Sequence, residues 1–366
     1  MLSKTGRDQP ADGVLRDELR RQRELPPQSS AAVARGLFAY YRWLGWLDKA
    51  GALDASIRRA LELQDILNRT PSRFTDADLR ARAIPSWTAE TMDVSPAWCR
   101  ALQAEPRLWL RARLGQGAAL ARSLGETHTK LSLASPDAVE YRGPENLFRS
   151  EQFHAGAFEV QDINSQLVSL LCAPQPDESW WDACAGEGGK LLHLSDLMLN
   201  KGLLWASDRA EWRLKRLKFR AGRAKSFNYR SVLWDGGVKL PTKTKFDGVL
   251  VDAPCSGVGT WQRNPHSRWT TTPADVTELA AVQLELLRHV APSVKPGGRL
   301  IYSVCTLTRA ETTGVTAAFA KVLPNFQPLP LSDPFSASRE PAAELCLRPE
   351  ATDGNGMFIA AWTRAS

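Results

Sequence analysis

A chain of 366 residues is long enough for two or three folded units, and 43% hydrophobic against 24% charged residues is the composition of a globular protein with a real core. The formal net charge of +7 favours a polyanionic partner, but modestly for this length. No stretch is apolar for long enough to span a bilayer, no apolar leader opens the chain, and the six cysteines (Cys99, Cys172, Cys184, Cys255, Cys305, Cys346) are far apart without metal-ligand spacing. A membrane span, a zinc site and a disulfide framework are therefore not expected, and free thiols in a reducing cytoplasm are.

The first fifteen residues read as disordered. From about Ala31 apolar residues recur at helical spacing, with Val33, Leu37, Tyr40, Tyr41, Leu44 and Leu47 on one side, and ALDASIRRALELQDIL continues in the same mode. Residues 1–80 are thus predicted to be a small helical region. Over 81–160 the texture changes to α+β: LWLRARL predicts a strand, GAALARSLGE a short helix, and HTKLSLAS and DAVEYRG further strand pieces. This segment has its own basic positions at Arg107, Arg111, Arg113, Arg122 and Lys130.

From residue 161 to 366 strands and helices alternate as in an α/β unit with a mostly parallel sheet. SQLVSLLCAP and GGKLLHLSDLMLNKG are predicted helices. SWWDACA, LLWASD, SFNYRSV, FDGVLVDAP, GRLIYSVC and the closing GMFIAAWTR are predicted strands. Between Lys201 and Arg230 stand ten Lys or Arg residues against only Asp208 and Glu211. Charge alone leaves that run equally readable as a solvated helix face or a phosphate-facing surface.

Open α/β sheets bind ligands at the carboxyl ends of their strands, and four strand ends carry the candidates. The first runs from Asp182 through Ala183, Cys184, Ala185, Gly186, Glu187, Gly188 and Gly189 to Lys190. Its glycines allow close backbone approach and open a helix N-terminus to a ligand, although such turns also serve purely structural ends. The spacing is neither GxGxxG nor a GK[ST] ending, which counts against dinucleotide or ATP binding. Asp208, about 20 residues after the glycine turn, is placed either for ribose hydroxyls or as a helix cap, and the glycine turn favours the ribose. Asp235 follows the next strand and by order alone suits the adenine side of the same ligand.

The third end, Asp252-Ala-Pro254-Cys255, puts an acid, a proline and a cysteine at the tip of a core strand, a poor choice for stability alone. A free cysteine is most often a small buried hydrophobe. The fourth end, however, puts Cys305 at the tip of the next predicted strand. If the strands are neighbours, both thiols face one crevice, which suits one sulfur attacking a substrate and the other helping release the product.

These motifs resemble the NOL1/NOP2/Sun family of RNA cytosine-C5 methyltransferases, nearest its bacterial Fmu or RsmB type. DACAGEGGK is similar to the family's D-x-C-A-A-P-G-G-K loop, DAPCSGVGTWQRNP to D-A-P-C-S-G-x-G-x-x-R-R-x-P, and YSVCT to Y-S-T-C-S. The resemblance runs from about Pro85 to the C-terminus and includes DGNGMFIAAW. Glu187 stands where the family has proline, Gln262 replaces an arginine, Glu311-Thr312-Thr313 replaces E-N-E, and Arg113 replaces an asparagine.

The resemblance implies a Rossmann-like class I methyltransferase domain with a seven-stranded sheet, preceded by an RRM-like RNA-binding segment and a reduced NusB-like helical region. It implies S-adenosyl-L-methionine held by Asp182, Cys184, Ala185, Gly186, Glu187, Gly188, Gly189, Lys190, Asp208, Arg213, Asp235, Asp252 and Pro254, with no metal. In the implied chemistry Cys305 adds to carbon 6 of cytosine, Asp252 hydrogen-bonds or protonates N3, and Cys255 assists loss of the C5 proton and elimination of Cys305. Lys190 would orient Asp252 or the cofactor loop, or cap the sheet edge. Arg263 and Arg268 are candidates for RNA backbone contacts. The expected partner is ribosomal RNA, with transfer RNA or DNA as alternatives, acted on by a cytoplasmic monomer. A non-catalytic RNA-binding assembly factor is the alternative from another class.

Overall fold

The computed structural model describes residues 2–22, 24–48, 50–132, 134–335 and 340–366. The N-terminal region holds helices α1 (Ala11–Arg21), α2 (Pro27–Arg42), α3 (Leu53–Arg69), α4 (Asp76–Arg82), α5 (Thr88–Thr91) and α6 (Pro96–Ala101). The expectation of disorder over the first fifteen residues is corrected. Ala11 and Leu15, four apart on α1, are 1% and 7% exposed and pack on Leu37 and Tyr41 of α2. That short apolar stripe is easily missed among polar neighbours. Thr75 caps α4 by accepting from the Asp78 backbone N–H, and Ser95 caps α6 ahead of Pro96 by accepting from Trp98. Helices thus continue to Ala101, and the strand-bearing segment begins only at Leu108 rather than near residue 81.

That segment is β1 (Leu108–Ala112), α7 (Gly117–Ser123), β2 (Thr129–Leu131), β3 (Ala138–Tyr141), α8 (Glu151–His154) and β4 (Phe158–Val160). Its sheet has the order β2-β3-β1-β4 with antiparallel pairs throughout, a split βαββαβ arrangement. Leu110, Ala112, Val139, Tyr141 and Phe158 cover α7 from one face. The other face is turned onto the following unit. Arg111, 1% exposed, pairs with Asp196 there, Arg113 reaches the same carboxylate at 2.5 Å, and Glu159 receives Arg220 and Arg223. Arg111 and Arg113, two of the basic positions noted in this segment, fasten two units together. The sheet face by which such a module would stack bases is covered.

The last unit comprises α9 (Ile163–Cys172), β5 (Ser179–Asp182), α10 (Gly189–Leu197), β6 (Leu203–Asp208), α11 (Glu211–Arg223), β7 (Tyr229–Leu233) and β8 (Phe246–Asp252). It continues through α12 (Ser267–Thr270), α13 (Pro273–Val290), β9 (Val294–Val304), α14 (Thr313–Val322) and β10 (Phe326–Pro328). A small ribbon of β11 (Leu331–Ser332) and β12 (Pro341–Ala342) precedes β13 (Glu344–Leu347), α15 (Pro349–Thr352) and β14 (Met357–Arg364). The strand order is β10-β14-β9-β8-β5-β6-β7, parallel from β9 to β7 and antiparallel at β14. To the seven strands expected, β13 adds an eighth, pairing with β14 beside β10.

The core strands are buried on both faces, which is why they read as near-continuous apolar runs. Trp180, Leu250 and Ile301 point to the face covered by α9, α10 and α11, while Trp181, Val249, Val251 and Tyr302 point to the face covered by α13 and α14. After β7 the chain crosses back, and β8 pairs on the far side of β5. The carboxyl ends of β5 and β8 flank the point where strand order reverses, and a ligand crevice opens there by construction. Among the described residues no helix is long and apolar enough to cross a membrane.

Candidate active site

A cavity of about 580 Å³ occupies this reversal point. Asp182 at the end of β5 and Asp252 at the end of β8 form its floor, and the glycine turn forms one wall. Gly188 has φ +86°, and a Cβ there would meet the Leu217 side chain at 2.8 Å, so only glycine lets the chain turn into α10 this close to α11. Gly188 itself stands behind the wall; Cys184, Ala185, Gly186, Glu187, Gly189 and Lys190 line it. Asp208 accepts from the backbone N–H of Gly186 at 3.0 Å and of Ala210 at 2.8 Å, which fixes its carboxylate against the turn. Arg213 lies 3.9 Å from it. Asp235 accepts from Gly237 at 2.8 Å and borders the far end of the cavity. Glu187, the family's proline position, pairs with Arg216 of α11 at 2.8 Å, so its charge is met within the protein.

The two cysteines come together. Cys255 follows β8, Cys305 follows β9, and their sulfurs are 3.2 Å apart. The hydrogen bond with Cys305, burial and the Glu311 charge push the Cys255 thiol well up, so it holds its proton. Lys190 donates to Asp252 Oδ2 at 2.7 Å, and Ser303 donates to Oδ1 at 2.8 Å. Burial alone would lower the Lys190 ammonium, but Asp252 raises it, and the ammonium stays charged. Of the sequence alternatives for Lys190, orienting Asp252 is the one this contact supports.

Glu311 entered the sequence reading only as the first residue of a motif whose next two positions differ, and it organises the site. Fully buried, it accepts from the Ser256 backbone N–H at 2.8 Å, from the Ser256, Thr306 and Thr308 hydroxyls, and from Gln283 at 3.0 Å. Ser256 and Thr306 each adjoin a cysteine, so one carboxylate ties both sulfur-bearing loops. Gly259 completes the junction. Its N–H bonds the Cys305 carbonyl at 3.0 Å, and a Cβ there would meet the Gly356 carbonyl at 2.1 Å.

Arg263 is exposed at the rim of two neighbouring grooves. Arg268 is corrected. It is 0% exposed and donates to the carbonyls of Ala83 at 2.9 Å and Leu102 at 2.8 Å, with longer contacts to Arg42 and Trp261. It joins the N-terminal helices to the loop after β8 and cannot reach RNA. Sequence reasoning missed the apolar wall of Trp234, Leu279, Val282 and Leu286, three of them on α13. The spacing of these residues on α13 is that of any core-facing helix.

A mostly parallel sheet with this order, one antiparallel strand near its edge and a cavity at the reversal point defines a Rossmann-like methyltransferase. Residues 169–363 match the family model described as 16S rRNA methyltransferase RsmB/F, and the chain belongs to that family, within the NOL1/NOP2/Sun proteins. It is 43% identical over 164 residues to the probable ribosomal RNA small subunit methyltransferase B of Synechocystis, covering 43% of this chain but 36% of that protein. Against the ribosomal RNA small subunit methyltransferase B of Cronobacter sakazakii it is 29% identical over 355 residues, 92% of this chain and 77% of that one. The crystal structure of PH0851 superposes with a TM-score of 0.72 at 25% identity, covering 96% of this chain and 86% of that one. The match to the Synechocystis relative thus spans a little over a third of that protein's length.

The methyl donor is S-adenosyl-L-methionine, and the residues fit it. Neither carboxylate oxygen of Asp182 has a hydrogen-bond partner among the described residues, though the group is 1% exposed. Burial and the nearby Asp252 charge push it up to about 8. A buried acid left unpaired at the floor of a cavity is suited to a cationic ligand. Asp208 fits ribose hydroxyls, and the apolar wall with Asp235 fits a flat base.

Proposed function

We propose that this protein methylates carbon 5 of a cytosine in RNA, with small-subunit ribosomal RNA as the substrate, through a covalent adduct between Cys305 and carbon 6. The observation that carries the reading is the pair of sulfurs 3.2 Å apart beside Asp252. Carbon 5 is too electron-poor to take a methyl group directly. When the Cys305 sulfur bonds to carbon 6, the C5–C6 double bond opens and carbon 5 becomes nucleophilic. Asp252, held by Lys190 and Ser303, is positioned to deliver a proton to N3 as charge builds on the ring, a proton that the Lys190 ammonium bonded to its carboxylate supplies. S-adenosylmethionine in the cavity supplies the methyl group. As the S–C6 bond breaks, Cys255, in contact with Cys305, gives its proton to the departing sulfur, and the Cys255 thiolate left behind takes the C5 proton, which restores the ring. Cys255, whose thiol the hydrogen bond with Cys305 and burial push well up, is the sulfur that holds its proton. The target base must leave its stack to reach the cavity, which favours a single-stranded loop or bulge.

The test is transfer of labelled methyl groups to small-subunit RNA from cells lacking this enzyme, followed by nucleoside analysis. Label in 5-methylcytosine is expected; label in another nucleoside, or none, overturns the reading.

A further inference from the structure

The basic run of α11 resolves into two faces. Arg216, Arg220 and Arg223 border a second groove of about 500 Å³, which shares Glu187 and Arg220 with the catalytic cavity. Arg263, eight residues after Cys255, and Arg16 of α1 complete its rim. Five guanidinium groups meet two carboxylates of the groove, Glu159 and Glu187, and Asp12 stands 3.3 Å from Arg16, so the groove keeps a net positive charge. A basic channel continuous with an active site is what a phosphate backbone needs.

Charge is not its only feature. Phe219, on the same helix, is 74% exposed, and Phe148, from the βαββαβ segment, is 58% exposed. Both line the groove. Single exposed apolar residues need no explanation. Two rings from different units, facing one basic channel that opens on a nucleotide-sized cavity, form the aromatic-and-cation pattern of single-stranded nucleic-acid sites. The sheet face of the βαββαβ segment is covered, so that segment's accessible aromatic is Phe148, presented from beside its edge.

Resting on the RNA-methylating reading, we propose that this groove binds the single-stranded RNA adjoining the target cytosine. Its bases stack on Phe219 and Phe148, and its phosphates lie against Arg216, Arg263 and Arg16. The groove therefore reads the unpaired state of the flanking nucleotides.

Phe148→Ala, Phe219→Ala and the double variant are titrated with two labelled probes: a single-stranded RNA of about twelve nucleotides, and an abasic oligomer with the same phosphates. Each lost stack is expected to weaken the base-bearing probe roughly tenfold and to leave the abasic probe unaffected. Both rings are exposed, and the cofactor affinity of each variant, measured without RNA, reports that the fold is intact. Equal weakening of both probes, or of neither, overturns the proposal, as does failure of the wild-type protein to prefer the base-bearing probe. Methyl transfer by the wild type is scored separately. If it labels RNA while the phenylalanine variants bind like wild type, the groove proposal alone falls. If it labels none while the base-dependent loss persists, the groove stands and the methylation reading falls.

Discussion

Replacing Asp182 by Asn probes the cofactor floor directly. The folded protein holds this carboxyl at about 8 against an ordinary value of 3.8, chiefly through burial and secondarily through Asp252. A raised carboxyl favours the protonated form in the fold. Its stability contribution is therefore complete below about pH 4 and is lost progressively as pH rises through about 8. At pH 7 the unfolded chain would release the proton and the folded one keeps it, over about three pH units at ~1.4 kcal/mol each. The cost is on the order of 4 kcal/mol. Asparagine has nearly the same shape and no proton to hold. In the absence of cofactor the Asp182→Asn protein is expected to unfold at higher denaturant than wild type at pH 7 to 8, with the two converging near pH 4. Binding should show the converse. Only an ionised Asp182 pairs with the positive charges of S-adenosylmethionine, so wild-type affinity relative to the variant should climb up to about tenfold per pH unit until roughly pH 8. Denaturant titrations and calorimetric binding between pH 5 and 9 measure both. Parallel stability curves, together with an affinity ratio that does not change with pH, would refute the assignment of this carboxylate to the cofactor.

Glu311→Ala removes the acceptor that joins Ser256 to Thr306 and is expected to cost about 3 kcal/mol in equilibrium unfolding. It should also slow single-turnover methyl transfer at least tenfold, whereas Glu311→Gln, which keeps part of the network, should lose less of each. Arg268→Met should destabilise the protein by about 3 kcal/mol while leaving the salt dependence of RNA binding unchanged, because its guanidinium bonds buried carbonyls. By contrast, Arg263→Met should leave stability unchanged and reduce the salt slope by about one.

The α/β unit was legible because its strands are buried on both faces and its helices are amphipathic or glycine-flanked, so runs such as FDGVLV announce themselves. The two cysteines were legible for a different reason: strand-end residues that stability does not require stand out. Burial of charge was not. Arg111, Arg113 and Arg268 look in sequence like any surface arginine, and only the placement of Asp196 or of the Arg42, Ala83 and Leu102 carbonyls, far along the chain, shows what they do. Glu311 was visible as a motif residue, but its role depends on four partners spread over three segments. The charge of Glu187 beside a cationic cofactor likewise becomes harmless only once Arg216, 29 positions on, is seen to meet it. Local pattern reveals elements and unusual tips; it carries little about which distant side chains neutralise one another.

In the proposed mechanism Cys305 bonds to the base and Cys255 is needed to let it go. The most direct measurement uses Cys255→Ala with S-adenosylmethionine and small-subunit RNA from methylation-deficient cells, resolved on a denaturing gel. The expected result is a protein band shifted by bound RNA, present in the single variant and absent when Cys305 is also replaced. A shifted band that survives replacement of Cys305, or no band from a variant whose wild-type parent methylates the same RNA, would contradict the account.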